Sequence, residues 1–272
     1  MAKDSRVLFI TQDIAPYVSE TPISKTCRQL PQAIQELGRE TRIFMPKWGN
    51  VNERRNQLHE VIRLSGMNLI IDDTDHLLII KVASIPSARM QVYFIDNDDY
   101  FMKRQMMADE NGVEYDDNDQ RAVFFARGVL ETVKKLRWQP DIVHCHGWFS
   151  DIVPLYLRYA FSDDPLYKDV KIVSSLYNDG FKEPFNPSFK ETLANEGVDP
   201  KKLDIISTPS YENFIKLVID NTDGIIVEQE GLQEKVKDYL KNYGGHIMWN
   251  TDKSDGNYLD NYHRFYEELL EK

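Results

Sequence analysis

Residues 7–45 read VLFITQDIAPYVSETPISKTCRQLPQAIQELGRETRIFM, and the fold follows from this stretch. Val7-Leu8-Phe9-Ile10 is a short continuous apolar run, the pattern of a strand buried on both faces. From Pro22 to Leu37 the apolar side chains Ile23, Cys27, Leu30, Ile34 and Leu37 recur at helical spacing. Thr21 stands in the N-cap place and Pro22 in the first helical place, where a missing N–H costs nothing. Gly38 supplies the stop. Arg42 to Met45 then returns as a second strand, so the chain opens with a β-α-β unit.

Working outward, residues from about His59 to Asp96 break that rhythm. Val61-Ile62-Arg63-Leu64, Asn68 to Ile71, Leu77 to Val82 and Val92 to Ile95 are β-type runs, with Asp72-Asp73-Thr74-Asp75 among the turn residues between them. They predict a β-rich insertion. Helical periodicity resumes at Asp119 to Trp138, and Ile142-Val143-His144 reads as a strand. Further helices are expected at Ser150 to Tyr159, Tyr211 to Asp220 and Leu232 to Leu240, with strands at Lys171 to Leu176 and Gly224 to Val227. Such alternation predicts an α/β fold, a Rossmann-like parallel sheet with helices on both faces. The domain is expected to span residues 1–241. The polar, Gly-rich run from Asn242 to Asn257 reads as a linker. Tyr258 to Leu270, with Tyr262, Phe265, Tyr266 and Leu269-Leu270, reads as an amphipathic helix returning onto the domain, so residues 242–272 form its tail and the chain a complete short form.

Composition narrows the function. Thirty-three basic residues stand against 44 acidic ones, a net charge of −11 over 272 residues. That balance argues against nucleic acid or an anionic membrane surface and suits a neutral polysaccharide or another protein. Cys27 and Cys145 are too few for a disulfide framework, which points to a reducing cytoplasm. The start M-A-K-D-S-R carries no signal segment, and no apolar run approaches the ~20 residues of a membrane span.

Three motifs carry a family resemblance: Y-F-I-D-N-D-D-Y-F from Tyr93, D-E-N-G-V-E-Y-D-D-N-D-Q-R from Asp109 to Arg121, and P-D-I-V-H-C-H-G-W-F from Pro140. The chain resembles the bacterial glycogen synthase and starch synthase family, glycosyltransferase family 5, over nearly all of its length, but only the first of that family's two domains. The resemblance implies the N-terminal domain of a GT-B glycosyltransferase. It also implies glucosyl transfer from ADP-glucose to an α-1,4-glucan acceptor, with no cofactor. By family position it points to Asp13, Ser19, Thr21, Asn111, Tyr115, His146, Trp148, Tyr177 and Asn178 as substrate-binding residues.

At three places the chain departs from the family pattern. Where relatives read K-T-G-G, this chain reads Ser19-Glu20-Thr21-Pro22; a helix start that lacks the lysine and the glycines, and adds Glu20, is adverse to a diphosphate. The family's H-C-H-D-W-H is His144-Cys145-His146-Gly147-Trp148-Phe149 here, and its I-H-N is Leu176-Tyr177-Asn178. His144 and His146 share a strand face, but no second ligand cluster accompanies them, and no metal is expected. No paired carboxylates offer an alternative acid and base. These departures predict weak or no transfer by this chain alone. The alternatives are a glucan-binding or regulatory module and a protein-interaction module whose partner, or second copy, covers the surface that faces the family's second domain.

Overall fold

The computed structural model describes residues 5–254 and 258–271. Residues 1–4, part of the M-A-K-D-S-R start, residues 255–257 of the polar run and residue 272 lie outside the described residues. The strands are β1 (Arg6–Thr11), β2 (Glu40–Pro46), β3 (His59–Glu60), β4 (Met67–Ile71), β5 (Thr74–Ile85), β6 (Met90–Asp96), β7 (Ile142–His146), β8 (Lys171–Leu176), β9 (Gly224–Val227) and β10 (His246–Trp249). The helices are α1 (Pro22–Glu36), α2 (Asn118–Leu136), α3 (Val153–Arg158), α4 (Phe189–Asn195), α5 (Tyr211–Ile219), α6 (Glu234–Leu240) and α7 (Tyr258–Leu270).

Among the described residues the sheet runs β10-β9-β8-β7-β1-β2-β6-β5-β3, with β4 paired to β5. Every pair from β10 to β6 is parallel. Strands in such a sheet are covered on both faces, and Val7, Leu8, Phe9 and Ile10 are fully buried. The β-rich insertion joins this sheet instead of standing apart from it, because β5 pairs antiparallel with β6 from Ile79↔Asp96 to Ile85↔Met90. Asp72 and Asp73 have φ of 44° and 62° and make a two-residue hairpin turn between β4 and β5. Short polar side chains tolerate that left-handed conformation, which matches the sheet twist.

Three expectations are corrected. The run Val61 to Leu64 is a turn, with Ile62 largely in solvent, and only His59–Glu60 pairs at this edge. A very short edge strand offers little template for another chain. The run read as a linker from Asn242 holds β10, which extends the sheet in register with β9 from His246↔Gly224 to Trp249↔Val227. Its four residues are too few to show a period among polar neighbours. Residues 150–159 divide into a 3-10 turn at Trp148–Ser150 and the short α3. In addition, α4 and a 3-10 turn at Lys202–Ile206 occupy a region to which the periodicity assigns no element.

Helix α7 buries Tyr262, Phe265, Tyr266 and Leu269 against the sheet. Its seat is Gly224, where a Cβ would stand 2.8 Å from Phe265 Cε1 and 3.2 Å from Leu269 Cδ1. Replacing Gly224 with Val should therefore push α7 off β9 and destabilise the fold by roughly 1–3 kcal/mol, the usual effect of overpacking. Urea unfolding and limited proteolysis of the C-terminal segment would check this. An unchanged midpoint would mean that α7 is not seated on the sheet as described.

Candidate functional site

The carboxyl ends of the parallel strands gather the polar residues, as expected where open α/β sheets bind ligands. The loop after β1 leads to the start of α1. Thr21 caps that helix: its Oγ1 accepts from Ser24 N at 2.9 Å, and Ser24 Oγ accepts from Thr21 N at 2.8 Å. Ser24 Oγ in turn donates to the Ser19 carbonyl at 3.2 Å, while the Ser19 side chain itself is exposed. The Thr21 hydroxyl donates to Asp13 Oδ2 at 3.0 Å. Asp13 is buried, and burial raises its carboxyl from 3.8 to about 6, the Thr21 hydrogen bond opposing. Exposed Glu20 pairs with Lys25 at 3.1 Å.

After β7 and β8 the structure joins two of the sequence-predicted residues and buries a third. His146 Nδ1 shares a hydrogen bond with Tyr177 OH at 3.0 Å, and both side chains are buried. Burial, with Lys253 adding its charge, pushes His146 down to about 3, so the imidazole is neutral. Its Nε2 is buried with no partner among the described residues. Trp148 belongs to the core: it packs on Phe149, Phe181 and Phe185, its indole N–H meets Met107 Sδ at 3.0 Å, and its backbone N–H donates to Asp179 Oδ2 at 3.1 Å. Gly147 has a φ of 83°, and a Cβ there would fall 2.4 Å from Gln12 Cδ. Gln12 Oε1 accepts from Phe149 N at 3.2 Å and so occupies the room that a longer residue at position 147 needs. Asn178 is exposed, with its N–H on Gln229 Oε1 at 3.1 Å.

The remaining predicted residues stand on the loop before α2. Asn111 is exposed in a turn organised by Asp109, whose Oδ1 accepts from the N–H groups of Asn111 and Val113, each at 2.9 Å. Tyr115 lies between two guanidinium groups, 4.2 Å from Arg104 and 4.8 Å from Arg121 measured to its ring centre. Glu114 ties this loop to the segment after β8 by accepting from Lys182 N and Glu183 N. Arg121, fully buried, donates to the carbonyls of Tyr100, Gln105 and Met106 and to Asn118 Oδ1. Much of the D-D-N-D-Q-R motif thus acts as a frame for residues 100–107.

Sequence reasoning missed the centre of this edge, the buried Glu228 at the end of β9. Its Oε1 accepts from Ser175 Oγ at 2.6 Å, and its Oε2 from Tyr262 OH at 2.6 Å and Lys253 Nζ at 3.1 Å. With the single Ser175 proton committed to Glu228, His144 Nε2 must donate to Ser175 Oγ at 2.8 Å. His144 Nδ1 then accepts from Tyr266 OH at 2.5 Å. Lys253 Nζ also donates to Thr26 Oγ1 at 3.1 Å. The signal that could have found Glu228 was a carboxylate directly after the apolar run Gly224–Val227. Between α1, the end of β9 and the chain after β10 lies an open cleft of about 560 Å³, lined in part by Thr26, Gln29, Gln229, Thr251 and Tyr258.

Comparisons with known proteins agree with this architecture. Residues 6–246 match the family model described as the starch synthase catalytic domain. The chain is similar to a glycogen synthase of Chlorobium limicola, 37% identical over 177 residues that make up 65% of this chain and 36% of the relative. A glycogen synthase of Chlorobaculum tepidum is 31% identical over 238 residues, 81% of this chain and 49% of the relative. The chain spans about a third to a half of the length of these curated relatives. Among solved structures it is similar to the catalytic domain of starch synthase IV from Arabidopsis thaliana bound to ADP and acarbose. The TM-score is 0.68 at 18% identity, covering 90% of this chain and 52% of that one. A sucrose-phosphate synthase from Thermosynechococcus elongatus gives a TM-score of 0.51 at 11% identity, covering 98% and 99%. At these identities the structures speak for the shared fold alone. Because the family model spans most of the chain, the protein belongs to the starch synthase catalytic-domain family, the glycosyltransferases of glycogen and starch synthesis.

Proposed function

We propose that this chain forms the N-terminal half of a site for glucosyl transfer from ADP-glucose to an α-1,4-glucan, and that alone it transfers little or no glucose. The start of α1 carries this reading. Pro22 has no N–H to offer, the Ser24 N–H is taken by Thr21, and the Thr21 hydroxyl is turned to Asp13. A helix start with free N–H groups attracts a diphosphate; this one is closed by its own cap and carries Asp13 and Glu20 beside it. His146 Nδ1 and the Tyr177 hydroxyl are likewise spent on one another. Stabilisation of charge in the transition state is usually the largest catalytic contribution, and little in this edge provides it.

The cleft beside α1 favours a second reading, recognition of neutral glucan without transfer. Lys25 and Lys253 balance Glu228 and Glu230, while amides, hydroxyls and the Tyr258 ring complete the lining. Such groups suit sugar hydroxyls and ring faces. In both readings residues 1–241 form the domain, and Thr251, Lys253 and Tyr258 from the following segment complete the cleft. The two cysteines, free and buried, fit a reducing cytoplasm. Among the described residues no helix is long and apolar enough to cross a membrane.

Incorporation of labelled glucose from ADP-glucose into glycogen should stay at background for the purified chain. It should remain there when Ser19→Lys, Thr21→Gly and Pro22→Gly are combined; a robust gain would overturn the proposal. Calorimetric titration separates the readings: heat with maltoheptaose but not with ADP-glucose favours glucan recognition, and micromolar binding of ADP-glucose restores a donor site.

Asp13 supplies a pH test. Its carboxyl holds its proton up to about pH 6 when folded but only to 3.8 as a free side chain. The folded protein therefore binds more protons than the unfolded chain between these values, and this stability is lost as pH rises through about 6. Asp13→Asn, which keeps an acceptor for Thr21, should match the wild type at pH 4 and exceed it at pH 7 by roughly 1–3 kcal/mol. A gap that does not change with pH would contradict the burial assigned to Asp13.

A further inference from the structure

The opposite edge of the sheet, at the amino ends of β2 and β6, holds a concavity of about 310 Å³ lined by Gln35, Arg39, Arg42, Arg89, Gln91 and Tyr93, among others. Three guanidinium groups around one hollow are unexpected in a chain of net charge −11. One of them is neutralised: Arg39 pairs with Glu267 of α7. Glu40, the carboxylate on the lining, is occupied from two sides, accepting from Arg6 Nε at 3.0 Å and Trp138 Nε1 at 2.6 Å. Arg42 and Arg89 form no ion pair among the described residues. Arg42 is held in place by Tyr93, whose hydroxyl accepts from its Nη1 at 2.8 Å, and by the Trp138 ring 5.2 Å away. Its Nε is buried without a partner. Arg89 is exposed and stands just before β6, with a φ of 52°.

A planar guanidinium presents its donors in a fork that matches the oxygens of a phosphoryl group, and stacking on aromatic rings fixes the plane of that fork beforehand. We propose that this concavity binds a small phosphoryl ligand, inorganic phosphate or a phosphate monoester, between Arg42 and Arg89. Its volume is at the lower end of small-molecule sites. The amide groups of Gln35 and Gln91 on the same lining suit the hydroxyls of an esterified group. Because it stands at the amino edge, the site is separate from the cleft at the strand carboxyl ends and does not depend on the function proposed for that cleft.

Calorimetric titration at low ionic strength with inorganic phosphate, and separately with glycerol phosphate, tests the proposal. Saturable binding at one site per chain is expected, weakened about tenfold or more by either Arg89→Ala or Arg42→Gln. Arg89 is exposed and forms no ion pair among the described residues, so its variant should keep the wild-type thermal midpoint in the absence of ligand, which separates lost binding from lost folding. Tighter binding of glycerol phosphate assigns the site to a monoester, and equal affinity assigns it to phosphate itself. No saturable heat with either probe at millimolar concentration, or unchanged affinity in Arg89→Ala, overturns the proposal.

Discussion

The buried carboxyl group of Glu228 is the constraint around which this molecule is arranged. It ends β9 and gathers Ser175 from β8, Tyr262 from α7 and Lys253 from the chain after β10. Through Ser175 it sets the tautomer of His144 on β7, and through His144 it orients Tyr266. Leaving such a charge without one of its partners typically costs about 3–5 kcal/mol. Sheet, C-terminal helix and the segment between β10 and that helix are therefore held in one arrangement by a continuous run of donors and acceptors. Apolar packing supplies the affinity of α7 for the sheet, and this network supplies its register.

The same economy runs along the carboxyl edge of the sheet, beside the start of α1. The positions that depart from the family pattern are each met by a neighbouring side chain. Gln12 fills the space beside Gly147, Tyr177 meets His146, and Thr21 turns to Asp13 while capping its own helix. Each pair satisfies a buried polar group that would otherwise be exposed to an apolar surrounding. A single reversal, such as lysine at position 19, would leave the other pairs in place. These contacts form a consistent set, each placed by side chains on neighbouring elements.

Much of this was legible in the order of residues. Long, strongly periodic segments such as α1 and α2, and the apolar runs of β1 and β9, identified themselves because their neighbours in the chain are enough to state their burial. The motif from Asp109 to Arg121 identified the family, although the structure assigns Arg121 to framing the preceding loop and not to a ligand. Short elements escaped for the opposite reason. Four residues of β10 cannot display a period, and Val61 to Leu64 has strand composition but leaves β5 in a turn once Val61 N has donated to the Ile80 carbonyl. The candidate site was half legible. His146, Tyr177, Asp13 and Thr21 were named from their places in the pattern, while Glu228, Lys253 and Thr26 lie in no motif and meet only in space.

By itself the sequence determined the alternation of strand and helix, the caps of α1 and the family, because these depend on neighbours a few residues apart. Only the tertiary structure decided that Trp148 is core, that His146 and Tyr177 answer each other, and that a glutamate at the end of β9 binds four elements together. Burial and hydrogen-bond partnership are relations between residues up to hundreds of positions apart, and nothing in the local order of a chain states them until it has folded.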